Sequence, residues 1–312
     1  MDTMDKPIRK DVKLYSIKDR KNKVSIKDFA RWNDKNATIA EFVDSWPKIL
    51  KTQELKILAE KTAEAIKNKK LVSVGMGAHV VKTGITPLII EAISRGWIRH
   101  IALNGAGPIH DFELAYQGET SEDVASGLDD GTFGMIRETG DFFAEAFEKY
   151  KEMGYGYAAG RLIDEKNLKY KEHSLLKKAY EYKTPVTVHA AIGTDIIYQN
   201  PKIKGDEVGL ASLRDFDKFA NLLPELDKGG VFLNFGSAVI IPEVFLKALT
   251  VARNVTQKPY DFFTANFDMQ KQYRTEYNIL SRPVKKGNGF HFTGHHEIML
   301  PLFFAMLCEK LE

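Results

Sequence analysis

The chain has 312 residues, 44% of them hydrophobic, with 45 Lys plus Arg against 42 Asp plus Glu and a formal net charge of +3. That length supports a sizeable core. The balanced charge, with no dense basic stripe, argues against a nucleic-acid partner. The single cysteine, Cys308, excludes an intrachain disulfide framework and a cysteine-based zinc site, and reads as a small buried apolar residue. No run approaches the roughly 18 apolar residues of a membrane span, and the charged start lacks a signal-peptide core. A cytoplasmic protein without a membrane partner is expected.

Residues 1–36 are polar and lysine-dense with little period, and read as an arm that becomes useful when docked. Asn36 or Thr38 can cap a helix through Asp44, which Ser45-Trp46-Pro47 interrupts. Residues 52–68 follow the helical period, with Leu55, Leu58, Ala59, Thr62 and Ile66 on one face. The rest of the chain is organised around residues 71–111, which read as strand, glycine turn, helix, strand, glycine turn and helix start. Strand 71–74 ends in Gly75-Met76-Gly77, helix 86–95 tolerates Pro87 in its first turn, and strand 98–103 closes on Asn104-Gly105-Ala106-Gly107. Two strands joined through a helix imply a right-handed parallel unit, with ligands beyond the strands' carboxyl ends.

A short helix is expected to about Tyr116. The acidic, glycine-punctuated stretch 117–134 follows as a lid or interface loop, anchored by Phe133, Met135 and Ile136. Helix 138–153 is broken by Gly154-Tyr155-Gly156. Helices 174–182, 216–223, 242–252 and 297–311 alternate with strands starting at Pro185 and Gly230 and with strands 260–265 and 289–293. Residues 266–283 read as a polar loop. No internal repeat is found. The alternation predicts an α/β fold with a mainly parallel sheet. Residues 1–70 form a helical N-terminal extension, and 71–312 a nucleotide-binding-like domain.

Six of the eight histidines, His79, His110, His189, His291, His295 and His296, fall at or just after predicted strands. Histidine moves protons near neutral pH, and His79 and His110 each follow a glycine turn. His189 sits in an alternating strand and leans structural; His100 and His173 read as surface residues. Asp111 stands at the expected helix start, where it could cap the helix or assist His110. Asp195 and Asp268 share the rim, each with a turn-residue alternative. The glycine turns at Gly77, Gly105 and Gly236 could let amides approach phosphates, yet none matches a dinucleotide or P-loop fingerprint. No H-x-x-x-H or H-E-x-x-H spacing supports a metal site.

The order of these segments resembles the deoxyhypusine synthase family from about Leu71 onward. The run from Lys82-Thr83-Gly84-Ile85 to Asn104-Gly105-Ala106-Gly107-Pro108-Ile109-His110-Asp111 looks like the family's strand-turn-helix. Thr184-Pro185-Val186 to Gly193-Thr194-Asp195 is similar to its IPV…DGSxGD stretch. Gly230 to Ser237 resembles its glycine-rich strand, and Pro301-Leu302-Phe303 its P-L-L. The resemblance implies a doubly wound, Rossmann-type NAD-binding α/β fold, a mainly parallel sheet with helices on both faces, in a homotetramer with sites at subunit interfaces. Its members oxidise spermidine and pass the aminobutyl group through an active-site lysine. Ile240 stands at that lysine's position, so the imine step is missing. His79 matches a family asparagine, and His295 falls near a nucleotide-contacting aspartate.

The resulting expectation is a deoxyhypusine-synthase-like enzyme that uses NAD to oxidise or transfer a small, polyamine-like amine without the lysine step. His79, His110 and Asp111 would be catalytic, and Asp195, Asp268 and Glu276 would hold the amine. The cofactor would lie along Gly77, Asn104, Gly105, Gly107, Gly236, Ser237, Asn266 and His295. A non-catalytic nucleotide-binding or regulatory protein is the alternative, and a metal-dependent hydrolase the third. A homo-oligomer, most simply a tetramer, is expected from the arm, the acidic loop and the family resemblance.

Overall fold

A computed structural model describes residues 8–312; the first seven residues of the expected arm lie outside them. The chain divides into two compact units, one up to Gln53 and one from Glu54 to Glu312.

The first unit contains three 3-10 turns, Ile8–Asp11, Ile17–Asp19 and Ile26–Asp28, and helix α1 (Ile39–Asp44). A short repeat, contrary to expectation, is present here: Ser-Ile-Lys-Asp occurs at 16–19 and again at 25–28. Both copies fold alike, because Ser16 and Ser25 accept hydrogen bonds from Lys18 N and Lys27 N, each at 3.2 Å. Thr38 caps α1 in a reciprocal box with Glu41.

Helix α2 (Leu50–Lys67) leads to six strands: β1 (Val72–Met76), β2 (His100–Asn104), β3 (Val186–His189), β4 (Gly230–Phe235), β5 (Phe262–Asp268) and β6 (Gly289–Thr293). All pairings are parallel, in the order β3-β2-β1-β4-β5-β6. This is the doubly wound Rossmann order, whose direction reverses between β1 and β4. Helices α3 (Ala78–Lys82) and α4 (Thr86–Ser94) join β1 to β2. Helices α5 (Ala106–Gln117), α6 (Val124–Asp130), α7 (Arg137–Lys149), α8 (Tyr155–Glu165) and α9 (Leu175–Glu181) lie between β2 and β3. Right-handed crossovers put these on one face. Helices α10 (Gly205–Leu222) and α11 (Ile240–Thr256), and α12 (Tyr273–Thr275) with its π-helical continuation Glu276–Ser281, follow β3, β4 and β5 on the other face. Helix α13 (His296–Leu311) returns to the first face, where Phe303 meets Phe267 at 5.4 Å between ring centroids. Cys308 is half-buried there rather than buried.

Strands buried on both faces usually read as unbroken apolar runs. Here they alternate. The face under α5 and α13 carries Val74, Met76, Ile101, Leu103, Leu233, Phe235 and Phe267, all buried. The face under α10 and α11 carries Ser73, His100, Thr187, His189, Asn234, Asn266 and His291, also buried. Its polar atoms bond sideways along the sheet, except Asn234 Oδ1, which is buried without a partner. Ser73 Oγ meets His100 Nδ1 at 2.8 Å, His100 Nε2 meets Thr187 Oγ1 at 3.0 Å, and Thr187 Oγ1 meets His189 Nε2 at 3.0 Å. His100 is therefore a core residue, not the surface residue expected, with Phe219 stacked on it at 4.8 Å. Burial depresses the pKa of both His100 and His189 to about 3, so both are neutral.

Several boundaries differ from expectation for identifiable reasons. Gly154 begins α8 rather than breaking the chain; Gly156 is needed because a Cβ there would strike Val186 O. The acidic stretch is partly folded, with Asp123 capping α6 through Ala125 N. Strand β5 runs on to Asp268, which places Asn266 inside the sheet. Helix α5 starts at Ala106, leaving His110 and Asp111 in its interior.

Candidate active site

The carboxyl rim is the candidate site, and its halves are built differently. At the switch between β1 and β4 the two glycine turns pack against each other. Gly77 N donates to Phe235 O at 3.0 Å, and a Cβ on Gly77 would lie 2.7 Å from Gly236 O. Gly236 has φ +66°, and a Cβ there would collide with the His296 ring. His296 is 1% exposed. Its Nε2 lies 3.0 Å from Phe267 O, so that nitrogen carries the proton and Nδ1 is left as a buried acceptor without a partner. His79, in α3, lies 5.6 Å from His296 between ring centroids. Desolvation first, then the neighbouring His296 and Lys82, lowers its pKa.

This arrangement revises several assignments made from sequence. His295 is exposed, 3.8 Å from Glu297, and the residue turned into the switch is His296. Ser237 Oγ is committed to Ile241 N at 3.2 Å, at the start of α11. Asn266 is fully buried, bonded to Asn234 at 2.6 Å and to His291 at 3.2 Å. Glu276 opens the π-helix, 3.2 Å from His291. Asp268 Oδ1 accepts from Gln270 N at 3.1 Å, which makes it a turn former at the end of β5.

At the ends of β2 and β3 the rim is open in a chemical sense. Asn104 Oδ1 accepts from Gly107 N at 3.2 Å and so starts α5. Gly105 has no side chain because the Asp195 carboxylate occupies that space. Asp195 Oδ2 is buried without a hydrogen-bond partner, as are the hydroxyls of Tyr155 and Tyr198. Burial pushes the Asp195 pKa up to about 6, against the opposing pull of Thr194 and His110. Burial raises both phenols as well, and the nearby Asp195 adds to each.

His110 is held by a short relay. Its Nδ1 lies 2.7 Å from Thr120 Oγ1, and Thr120 donates its only proton to Glu113 Oε2 at 2.5 Å. Thr139 Oγ1 donates to the other Glu113 oxygen at 3.4 Å. With the threonine proton spent, His110 Nδ1 must donate, and Nε2 is left as the basic nitrogen. Desolvation raises the Glu113 pKa, but hydrogen bonds from His110, Thr120 and Thr139 outweigh it and hold the group below its ordinary value. A cleft of about 260 Å³ opens beside the relay, lined by Glu113, Thr120, Glu122, Glu138 and Tyr116. Glu113 was legible in the sequence, since a carboxylate three residues after a helical histidine shares its face.

Asp111 belongs to neither set. It is 1% exposed and accepts from Ser174 Oγ at 2.5 Å, Leu175 N at 2.7 Å and Leu176 N at 3.1 Å, anchoring α9. It caps a helix, but not its own, and its burial among these donors gives it a structural role.

Neither a hydrogen bond nor a ring contact joins His79 to His110 among the described residues. The Asp195 carboxylate lies over the end of β2 and Asp268 ends β5, three strand spacings away, roughly 14 Å at about 4.8 Å each. They cannot grip one ammonium together. Ile240 begins α11, and Lys247 in that helix is ion-paired with Glu243. No group of three or more metal-ligating side chains able to hold a metal occurs among the described residues.

No protein-family model matches the chain, and no curated protein matches its sequence. Solved structures do resemble it. A candidate deoxyhypusine synthase from Entamoeba histolytica superposes with a TM-score of 0.53 at 10% identity, covering 90% of this chain and 96% of that one. A candidate LOR/SDH protein from Methanococcus maripaludis S2 gives 0.52 at 15% identity, covering 84% and 71%. The AgrE protein in a ternary complex with ornithine and NAD+ gives 0.51 at 13% identity, covering 83% of this chain but only 32% of its own length. At these identities the likeness establishes a shared fold: a deoxyhypusine-synthase-like, Rossmann-type α/β domain.

Proposed function

We propose that this chain binds NAD at the carboxyl rim and oxidises or transfers a small amine held by Asp195. The observation that carries the reading is the buried, unpartnered Asp195 Oδ2 beside His110. A carboxylate left without a donor in a desolvated site is costly unless a cation completes it. A primary ammonium supplies both the charge and the hydrogen bonds. The glutamates of the neighbouring cleft favour the approach of a cation.

NAD is supported by the Rossmann strand order and by the AgrE complex. The buried His296 Nδ1 lacks a donor, and a ribose hydroxyl would supply one. Gly77, Gly105, Gly107 and Gly236 with His296 would hold the cofactor, and Asn104 and Ser237 would do so through their backbones. When bound, NAD supplies a hydride acceptor. The chain's own residues do the rest. Asp195 orients the amine, and the two phenols exclude water around it. His110 Nε2, fixed as a base by Thr120 and Glu113, removes the ammonium proton. His79 is a second proton carrier at the switch. With Ile240 in place of a lysine, no enzyme imine forms.

The test is NADH formation across a panel of alkylamines and diamines, with NAD binding measured separately by calorimetry. His110→Gln should lower turnover by about 10²–10⁴-fold, and Asp195→Asn should raise the amine KM while NAD binding persists. Borohydride trapping should find no amine adduct on the wild-type chain. Absence of both NAD and amine binding would sink the proposal. A non-catalytic nucleotide-binding protein is the second reading, favoured by the contact of Gly77 with Gly236 under His296. NAD binding with no turnover of any amine would select it.

A further inference from the structure

At the opposite end of β3 from Asp195, the chain forms a second cleft of about 590 Å³. It belongs to none of the machinery described above. That volume falls within the range of roughly 300–1,000 Å³ typical of small-molecule sites. Its floor is apolar, formed by Leu176 from α9 and by Pro185 and Val186 at the start of β3. Tyr157 and Tyr180 stand together as one wall, edge to face at 5.1 Å between centroids. This is the usual composition of a ligand pocket, aromatic body first and a few polar groups at the mouth.

The polar groups at the mouth specify the sign of the ligand. Lys183 is exposed and makes no ion pair among the described residues. Lys218 is partly exposed and pairs with Asp215 Oδ1 at 3.4 Å, while the other Asp215 oxygen accepts from Gly156 N and Val188 N at 2.9 Å each, so the lysine keeps an exposed face towards the cleft. The acid at the rim, Glu181, is engaged by Lys177 at 2.7 Å and Lys178 at 3.3 Å on the helix surface. The cleft therefore presents two ammonium groups over an aromatic and aliphatic floor.

We propose that this cleft binds a small aromatic or alicyclic molecule carrying one anionic group, with the ring between Tyr180 and Val186 and the anion at Lys183 and Lys218. The floor rewards an apolar body through burial, and the two cations select against a neutral or cationic head. The proposal is independent of the NAD and amine reading, since no residue is shared.

The full chain is titrated with naphthoate, naphthamide and naphthylmethylamine, three probes of nearly equal shape and different charge, by calorimetry. Naphthoate is expected to bind at least about tenfold more tightly than the other two, the equivalent of one well-placed charge contact. Lys183→Glu, an exposed substitution, should remove that preference. Tyr180→Ala should weaken all three probes, and Lys183→Glu should melt as the wild type does. Equal binding of the three probes, no binding, or naphthoate binding indifferent to both substitutions would overturn the proposal. So would a dimer dissociated by Tyr180→Ala, which would give the cleft to a second copy.

Discussion

The two halves of the carboxyl rim solve the same geometric problem in opposite ways. At the β1/β4 switch the glycines exist so that backbone can meet backbone and a histidine can lie over the seam. At β2 the glycine exists so that a carboxylate can lie over the strand end. The first half is a packed joint with two unused acceptors, His296 Nδ1 and Asn234 Oδ1; the second is a cluster of three unpartnered polar groups. Glycine turns that look interchangeable in sequence thus make room for backbone in one place and for a carboxylate in the other.

The same substitution in both turns tests the contrast most sharply. Gly77→Ala drives a methyl group into Gly236 O, 2.7 Å away, where only backbone can yield. The expected cost is about 1–3 kcal/mol, as for other overpacked sites, or roughly 2–4 °C in Tm per kcal/mol for a domain of this size. Gly105→Ala meets the far end of the Asp195 side chain, which can rotate aside. Its expected cost is below about 1 kcal/mol, as rotation relieves the clash, while ammonium affinity falls by about tenfold or more with the displaced carboxylate. Equal losses of Tm in calorimetry would erase the distinction between the two halves.

How much of this was legible follows from what each residue answers to. The strands announced themselves as short apolar or alternating runs bounded by glycine and proline, and the parallel α/β class follows from strand-helix alternation and crossover handedness, though the reversal at β1 and β4 does not. Caps at Thr38 and Ser174 were legible too; other boundaries were not. Asn104 starts α5 before His110, so two residues expected at a helix start lie inside it. Helix α8 was hidden by Gly154 and Gly156, which read as breakers, because the need for Gly156 lies in Val186 O, thirty residues away in sequence. The unpartnered phenols of Tyr155 and Tyr198 carry no local signal at all. Their meaning comes from Asp195, and no spacing rule links the three.

Acidity separates the halves a second way. Asp195 has a folded pKa of about 6, so its carboxylate is present above that pH and is lost as pH falls through it. Ammonium affinity should therefore drop by about tenfold per unit below pH 6, and Asp195→Asn should flatten the profile. Overall stability should behave differently. Asp111, Asp195 and Asp215 have folded pKa values raised to about 6 from 3.8, and the stability linked to their protonation is complete below 3.8 and lost as pH rises through 6. His100 and His189 have values depressed to about 3 from 6.5, so their contribution is present above 6.5 and lost as pH falls towards 3. Between pH 6 and 4 three aspartate slopes oppose two histidine slopes, so Tm should hold or rise slightly as pH falls. Below 4 the histidines are joined by paired carboxylates such as Glu165 and Glu172, lowered from 4.5 to about 2, whose contribution is also lost with falling pH. A Tm that falls steadily from pH 6.5 to 4 would show that the aspartates are not raised.

The smallest expected effect discriminates between two neighbouring histidines. His295 is exposed, its ring makes no cap hydrogen bond to α13, and Glu297 lies 3.8 Å away. Pairs of that kind contribute about 0–1 kcal/mol. Its carbonyl accepts from Ile298 N and Met299 N, a role any residue keeps. His295→Gln should therefore leave Tm within about 2 °C, since exposed substitutions stay within roughly 0.5 kcal/mol. His296→Met removes a buried hydrogen bond to Phe267 O, yet that oxygen still accepts from Gly236 N at 2.9 Å, so no buried acceptor is orphaned. It also removes the unpartnered Nδ1, and methionine fills comparable space, so the stability change should stay within about 1 kcal/mol. The two variants then differ in ligand binding alone. NAD affinity, measured by calorimetry, should survive His295→Gln and fall by about tenfold or more in His296→Met, the equivalent of one lost hydrogen bond in a buried site. Loss of binding in His295→Gln with retention in His296→Met would return the role to the exposed histidine, and the switch would then be a packed joint and nothing more.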